Sequence, residues 1–209
     1  MRGAILLLSL ALLVSCDSFG TLSDEEYVTR AQEYLDKGEL NAATLELKNA
    51  LTQNANNSQA RLLLGNTYLE LGNGPAAEKE LRRAQELSAA DEDIIIPLGN
   101  ALLLQGKLSN IISETQPLGT SSADKRARIH ALRGNAFVGK GQLEDAAAEF
   151  QSAIDLREDL TEAQIGYARL NLVQDKREEA RNWINKALTS DTESANAWSL
   201  LGNLEFAEG

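Results

Sequence analysis

Apolar and small residues recur along the chain at helical spacing, in a unit that returns every 34 or 35 residues. Each unit contains two amphipathic segments separated by a polar turn, a pattern that predicts a pair of α-helices. Six units align in register, and positions are counted from their first residues, which are Asp24, Ser58, Glu92, Ala127, Thr161 and Ala195. One such helix pair cannot bury its apolar face alone, so the units are expected to stack on one another.

Small residues occupy fixed positions of the unit, where two helices have to approach closely. Position 8 is alanine or glycine in all six units, and position 20 is alanine in four of the five units that reach it. Glycine ends the first helix at Gly38, Gly72, Gly106 and Gly141, because it tolerates the left-handed backbone of a helix C-terminus. The intervals and these positions resemble the tetratricopeptide repeat (TPR). The resemblance implies an all-α fold, a helix-turn-helix solenoid wound as a right-handed superhelix.

The third repeat departs most from this pattern, because Pro117 and Gly119 interrupt its second helix. We expect a short second helix and then a loop near 118–123. The chain is thereby divided into repeats 1–3 over 24–118, an irregular connection over 119–126, and repeats 4–6 over 127–209. Pro97 is expected near the first turn of its helix. The sixth repeat stops after one apolar helix, which predicts that it is incomplete and part of a longer array.

The segment before the repeats has a short apolar stretch that runs into the only cysteine, Cys16. The stretch is too short to span a bilayer but fits the apolar region of a signal peptide over residues 1–15. It ends in Leu-Val-Ser-Cys, which resembles the bacterial lipobox. The resemblance implies that the Cys16 sulfur carries a lipid and that residues 16–23 form a short linker. Asp17 resembles the signal that retains Gram-negative lipoproteins in the inner membrane, which favours a periplasmic, inner-membrane location over the outer membrane. A buried core cysteine is the alternative.

Charge and composition argue against several classes of function. The formal net charge is −11 and no basic patch is present, so nucleic acid is not an expected partner and membrane contact is expected through the lipid alone. One histidine, His130, and one cysteine do not supply the closely spaced ligands of a zinc site. No phosphate-binding glycine loop is found either. The sequence therefore predicts a non-enzyme without cofactor or metal, in which His130 is a packing residue.

In TPR superhelices the first helix of each repeat lines a concave face, and the resemblance places positions 2, 5, 9 and 12 on it. Position 9 is asparagine in four of the six repeats, which gives a row of side-chain amides between apolar walls. Amides donate and accept, so such a row can pair with the backbone of an extended peptide. The alternative is that these asparagines tie adjacent helices together. The predicted groove residues are Gln32, Leu62, Asn66, Leu69, Ile96, Asn100, Leu103, Asn135, Val138, Ile165, Arg169 and Asn203.

The stretches "LVSCD", "EEYVTRAQEYLDKGELNAATLELKNAL", "ARLLLGNTYLELGNGPAAEKELRRA" and "ALLLQGK" resemble one lipoprotein family in particular. That family is the TPR-repeat lipoprotein of the exosortase/PEP-CTERM system. The resemblance implies a periplasmic scaffold for protein partners, linked to exopolysaccharide assembly or export and hence to biofilm. Two alternatives stay open: a TPR lipoprotein that assembles a pilus or an outer-membrane secretin or barrel, and the N-terminal part of a larger polysaccharide-processing enzyme.

Overall fold

The computed structural model describes residues 22–87, 91–117, 119 and 121–208. All regular structure within these residues is helical, which confirms the expected all-α solenoid. The eleven helices found there are α1 (Asp24–Asp36), α2 (Leu40–Gln53), α3 (Ser58–Glu70), α4 (Gly74–Glu86), α5 (Asp91–Leu104), α6 (Leu108–Glu114), α7 (Ala123–Gly139), α8 (Leu143–Leu156), α9 (Thr161–Val173), α10 (Arg177–Ser190) and α11 (Ala195–Glu208).

Helices α1 to α10 form five consecutive pairs, one pair per repeat, each pair packs on the next, and α11 packs on α10 as the single described helix of repeat 6. The first helix of one repeat also contacts the first helix of the following repeat, as α3 does with α5 and α7 with α9. First helices therefore lie side by side along the solenoid. None of the helices in the described part of the chain combines the length and apolar character needed to cross a bilayer.

The helix ends follow the local chemistry of the sequence. Ser23 and Glu26 form a capping box at α1: the Ser23 Oγ accepts from the Glu26 backbone N–H at 3.2 Å, and the Ser23 N–H donates to Glu26 Oε2 at 2.8 Å. The four turn glycines have φ between 68° and 73°, in the left-handed region. Asp175, which stands in the turn of repeat 5, takes the same conformation with φ 56°. The backbone turn is thus kept where the glycine is lost.

The core sits between the two helices of each repeat and between neighbouring repeats. The alanines at position 20 of repeats 1, 2, 4 and 5 are fully buried, as are the large residues at position 24, which are Leu47, Leu81, Phe150 and Ile184. A Cβ added to Gly134 would come within 2.5 Å of Phe150 Cε1, and one added to Gly65 within 2.6 Å of Leu81 Cγ. In repeats 2 and 4 the large side chain at position 24 therefore leaves space only for glycine at position 8.

The third repeat has the expected short second helix, since α6 has 7 residues whereas α8 has 14. The expected irregular connection over 119–126 lies four residues earlier than predicted, because α6 ends at Glu114 and α7 begins at Ala123. The Ser122 hydroxyl caps α7 by accepting from the Lys125 backbone N–H at 3.2 Å. Pro97 was expected near a first turn, but it lies in the interior of α5. A proline there removes one helical N–H donor, and the helix continues through it.

Candidate functional site

Two adjoining cavities run along the first helices of the middle repeats. One, of about 600 Å³, lies between α3, α5 and the start of α7, and the other, of about 220 Å³, lies between α5, α7 and α9. Ile96, Asn100 and Arg128 line both cavities, so the two form one continuous depression, called here the groove. The groove is built on first helices, the face that the sequence pattern indicated.

The structure brings most of the predicted groove residues together. Those that line the groove are Asn66, Leu69, Ile96, Asn100, Leu103, Asn135, Ile165 and Arg169. Leu62 and Val138 do not line either cavity, because they pack against the cores of their own repeats. Gln32 and Asn203 are exposed on α1 and α11, at the two ends of the described array. Cys16 and Asp17 lie outside the described residues.

The row of amides has the hydrogen-bonding state that a peptide site needs. Within the part of the chain that the structure describes, the side chains of Asn66 and Asn100 make no hydrogen bond to protein, whereas Asn135 Nδ2 donates to the Ala131 carbonyl of its own helix at 3.0 Å. None of these three asparagines bonds to a neighbouring helix among the described residues. Two of the amides are therefore available to a ligand, and the third keeps its oxygen available.

Charged residues at position 2 of the repeat also line the groove. Arg128 Nε lies 3.5 Å from Glu162 Oε1, and Asp93 accepts from Lys125 Nζ at 3.0 Å. Both pairs join neighbouring first helices. The resemblance places position 2 on the concave face together with positions 5, 9 and 12, but the predicted groove residues include none from position 2.

His130 lies outside the groove, in a mostly buried ionic cluster between α7 and α8. Its Nδ1 is 2.7 Å from Glu149 Oε2, and Arg133 Nε donates to Glu149 Oε1 at 2.8 Å. Burial alone would raise the pKa of Glu149, but the hydrogen bonds from His130 and Arg133 outweigh it and lower that pKa.

Arg133 also reaches across to the shortened helix α6. Its Nη1 donates to the carbonyls of Ile112 at 2.6 Å and Thr115 at 3.3 Å. These carbonyls have no backbone partner within α6, because the helix stops after Glu114. The cluster thus joins the third repeat to the fourth. His130 is part of this structural cluster, and no group of three or more His, Cys, Asp or Glu side chains in the described ranges is placed to hold a metal ion.

Comparison with solved structures gives the same fold. A thermophilic TPR protein from Thermus thermophilus superposes with a TM-score of 0.68 at 18% identity, over 88% of this chain and 99% of that chain. The pilF protein of Pseudomonas aeruginosa gives 0.65 at 16% identity, over 88% and 83%. YrrB, a TPR protein with an unusual peptide-binding site, gives 0.55 at 19% identity, over 83% and 89%. At these identities the likeness concerns the fold alone.

The sequence was also compared with curated proteins and with models of protein families. No curated protein matches the chain. A family model described as tetratricopeptide repeat matches residues 34–96 and 137–204, which together make up more than half of the chain. The matched ranges contain all of α3 and α9, and they end within α5 and begin again within α7. The chain belongs to the tetratricopeptide repeat family.

Proposed function

We propose that this protein is a scaffold that holds an extended segment of a partner protein along the groove. The observation that carries the proposal is the pair of amides at Asn66 and Asn100, which face the groove without a hydrogen bond to the described part of the protein. An amide can donate to a backbone carbonyl and accept from a backbone N–H, so it can bind a peptide main chain whatever its sequence. Leu69, Ile96 and Leu103 supply apolar contacts for the side chains of that segment.

The charges of the groove favour a partner segment of mixed polarity. Arg128, Glu162 and Arg169 line the smaller cavity, and Asp93 and Lys125 line the larger one. Groups of both signs therefore lie within reach of one extended segment. They add orientation more than affinity, because the ion pairs are exposed and partly satisfied within the protein.

Site-specific crosslinking in living cells tests the groove. A photoreactive amino acid replaces Leu103, which is 37% exposed in the groove, or Leu45, which is 58% exposed on α2 and does not line it. Crosslinked partners are expected from position 103 and not from position 45. The double variant Asn66→Ala, Asn100→Ala should reduce the yield from position 103 about tenfold, since each lost amide contact costs about 0.5–1.5 kcal/mol.

The matched control also replaces two asparagines, but at positions outside the groove. Asn41→Ala with Asn49→Ala changes two amides on α2, outside the groove, and should leave the crosslinks from position 103 unchanged. Equal recovery of partners by the groove variant and by this control would refute the role of the amide row. Far-UV circular dichroism of both variants checks that the helices are retained.

We further propose that the scaffold is tethered to the periplasmic side of a Gram-negative membrane through a lipid on Cys16. The support is the lipobox-like Leu-Val-Ser-Cys sequence. Several buried acyl chains at ~0.8 kcal/mol per CH₂ would hold the protein without help from its acidic surface. Mass spectrometry of the mature amino terminus should show the diacylglycerol adduct, and Cys16→Ser should abolish it. Asp17→Ser should move the protein from the inner-membrane to the outer-membrane fraction.

The process served is proposed to be exopolysaccharide assembly or export within an exosortase/PEP-CTERM system, on the strength of the sequence resemblance alone. A strain that lacks the gene should then lose surface polysaccharide and form less biofilm. The intact gene should restore both, whereas the Cys16→Ser gene and the Asn66→Ala, Asn100→Ala gene should restore neither. Unchanged surface polysaccharide together with lost pili or a misassembled secretin would favour a role in pilus or outer-membrane assembly instead.

A further inference from the structure

A second cavity, of about 610 Å³, lies between the second helices of repeats 4 and 5. It is lined by the end of α8, the α8–α9 turn, the start of α9 and one face of α10, and is called here the α8–α10 pocket. It shares no lining residue with the groove. A ligand in this pocket would therefore leave the groove open to its own partner.

One wall of the α8–α10 pocket is an indole ring with one face already packed. Trp183 stacks on Tyr167 with ring centroids 4.6 Å apart and an angle of 10° between the planes. Tyr167 in turn contacts the fully buried ring of Phe150 at 5.4 Å. This column fixes the orientation of Trp183. The opposite face of the indole is the one that borders the pocket.

That face already holds a cation. The ammonium nitrogen of Lys186 lies 4.2 Å from the centre of the Trp183 ring, a distance typical of a cation–π contact. Lys186 is exposed and sits one helical turn beyond Trp183 on α10, so its long side chain can swing away into water. The protein itself thus demonstrates that a positive charge is accommodated over this ring.

The remaining groups of the pocket are rich in acceptors. Glu158 and Asp159 bring two carboxylates to the rim, and Lys186 is the one cation among the residues that line the pocket. Asp159 is paired with Arg157 at 3.0 Å, whereas Glu158 has no ion pair among the described residues. Gln164 is 4% exposed, and its carboxamide oxygen has no hydrogen-bond donor in the described part of the chain. The partial negative charge of the Gln164 carboxamide oxygen therefore adds to the negative potential of the two carboxylates.

We infer that the α8–α10 pocket binds a basic side chain, lysine or arginine, of a partner protein, which takes the place of Lys186 over the Trp183 ring. An indole face fixed by stacking, an unpaired carboxylate and an unpaired carboxamide oxygen suit an ammonium or guanidinium group better than an anion or an apolar group. The net charge of −11 would also attract a basic partner to this surface. The site goes beyond the proposed function, since it lies on second helices and uses other residues.

The test uses the full chain and two small probes that differ only in the presence of the ammonium group. N-acetyl-lysine-N-methylamide carries the ammonium group, and N-acetyl-norleucine-N-methylamide has the same apolar stem without it. The readout is the indole N–H resonance of Trp183 in NMR titrations. The chain has two tryptophans, and the Trp198→Phe variant assigns the resonance.

The lysine probe should shift the Trp183 resonance in a saturable way, and the norleucine probe should not. Lys186→Gln should tighten binding of the lysine probe about fivefold, because the competing internal cation is gone. Glu158→Gln should weaken it about twofold, and both residues are exposed enough to change without unfolding the chain.

Three results would overturn the inference. Equal shifts with both probes would make the pocket a merely apolar one, and absence of a shift with Lys186→Gln would remove the cation site altogether. A saturable shift with a neutral sugar such as glucose, but none with the lysine probe, would assign the pocket to a saccharide instead. None of these outcomes bears on the groove, whose crosslinking test uses different residues.

Discussion

Replacing Arg133 with alanine removes a side chain that connects α6, α7 and α8. In the native protein its guanidinium is 11% exposed and makes one hydrogen bond to the Glu149 carboxylate and two to carbonyls at the end of α6. The alanine variant deprives those carbonyls of this donor. It also leaves Glu149, which is 15% exposed, with His130 as its remaining partner in the cluster.

The expected cost follows from these contacts. A hydrogen bond to a charged group contributes about 1.5–3 kcal/mol, and removal of one partner from a buried ion pair costs about 3–5 kcal/mol. In the variant, Glu149 still contacts His130 and some water, so the expected cost lies toward the lower end of these ranges. We therefore expect Arg133→Ala to lower the free energy of unfolding by about 2–3 kcal/mol.

Repeat 1 offers a matched control at the same position of the repeat. Arg30 also stands at position 7 and pairs with an acidic residue at position 23, Glu46, at 3.1 Å. The Arg30 side chain is 47% exposed and donates to no helix end in the described part of the chain, but Glu46 is only 9% exposed and has no other ion-pair partner there, so Arg30→Ala should cost about 1–3 kcal/mol. The two variants share the ion-pair chemistry and differ in the bonds to α6, so the place of the loss distinguishes them.

Urea denaturation followed by far-UV circular dichroism measures both free energies. Amide hydrogen exchange then locates the loss, which should be largest in α6 and at the start of α7, because repeat proteins can open locally. An equal loss of α6 protection in the two variants, or protection in α6 that does not change in Arg133→Ala, would refute the idea that Arg133 holds the shortened repeat in place.

Three further predictions concern single side chains. Burial raises the pKa of Glu78, but hydrogen bonds from Lys107, Gln105 and Arg82 outweigh this and bring that pKa to about 2. Above pH 4.5, Glu78→Gln should therefore lower the free energy of unfolding by about 1–2 kcal/mol, a value that allows for the exposure of Arg82 and Lys107. The native carboxylate becomes protonated as pH falls toward about 2, so denaturant titrations should show the variant and the wild type becoming equally stable there. Gly134→Ala should destabilise by about 1–3 kcal/mol in the same assay, because the added methyl group overlaps the fully buried ring of Phe150. Asp175→Gly should raise the melting temperature, since relief of the left-handed backbone is worth about 0.5–1 kcal/mol.

Most of the fold could be predicted because its determinants are local or periodic. The capping box at Ser23 and the turn glycines depend on a few neighbouring residues, and the small residues at positions 8 and 20 recur in every repeat that keeps the pattern. The early start of α7 and the interior position of Pro97 were not predicted. Pro97 lies in the degenerate third repeat and the start of α7 follows it, and there contacts such as Arg133 to α6 come from residues about 20 positions away in the chain.

The groove could be predicted only in its middle part. α5 and α7, which have a first helix on each side, line both cavities. Gln32 and Asn203 occupy the same repeat position as Asn100 but lie on the outermost described helices and line neither cavity. Leu62 and Val138 are partly buried, pack against core clusters and line neither cavity. The repeat register alone does not show which helices have neighbours on both sides, nor which side chains pack against the core.

The α8–α10 pocket shows how one repeat can acquire a site that its neighbours lack. Repeats 1, 2 and 4 have glutamate at position 23, paired with an arginine of the first helix, and the cavity beside that pair in repeat 4 is about 340 Å³. In repeat 5 the same position is Trp183, and the cavity is about 610 Å³. A ligand in repeat 4 would have to displace a mostly buried arginine that is held by hydrogen bonds to a carboxylate and two carbonyls, whereas in repeat 5 it displaces one exposed lysine. The two repeats share the same helix-pair backbone, and they differ in that repeat 5 has the stacked rings of Tyr167 and Trp183 where repeat 4 has the ion pair of Arg133 and Glu149. The ion pair stabilises the solenoid, whereas the stacked rings present a surface that can bind a ligand.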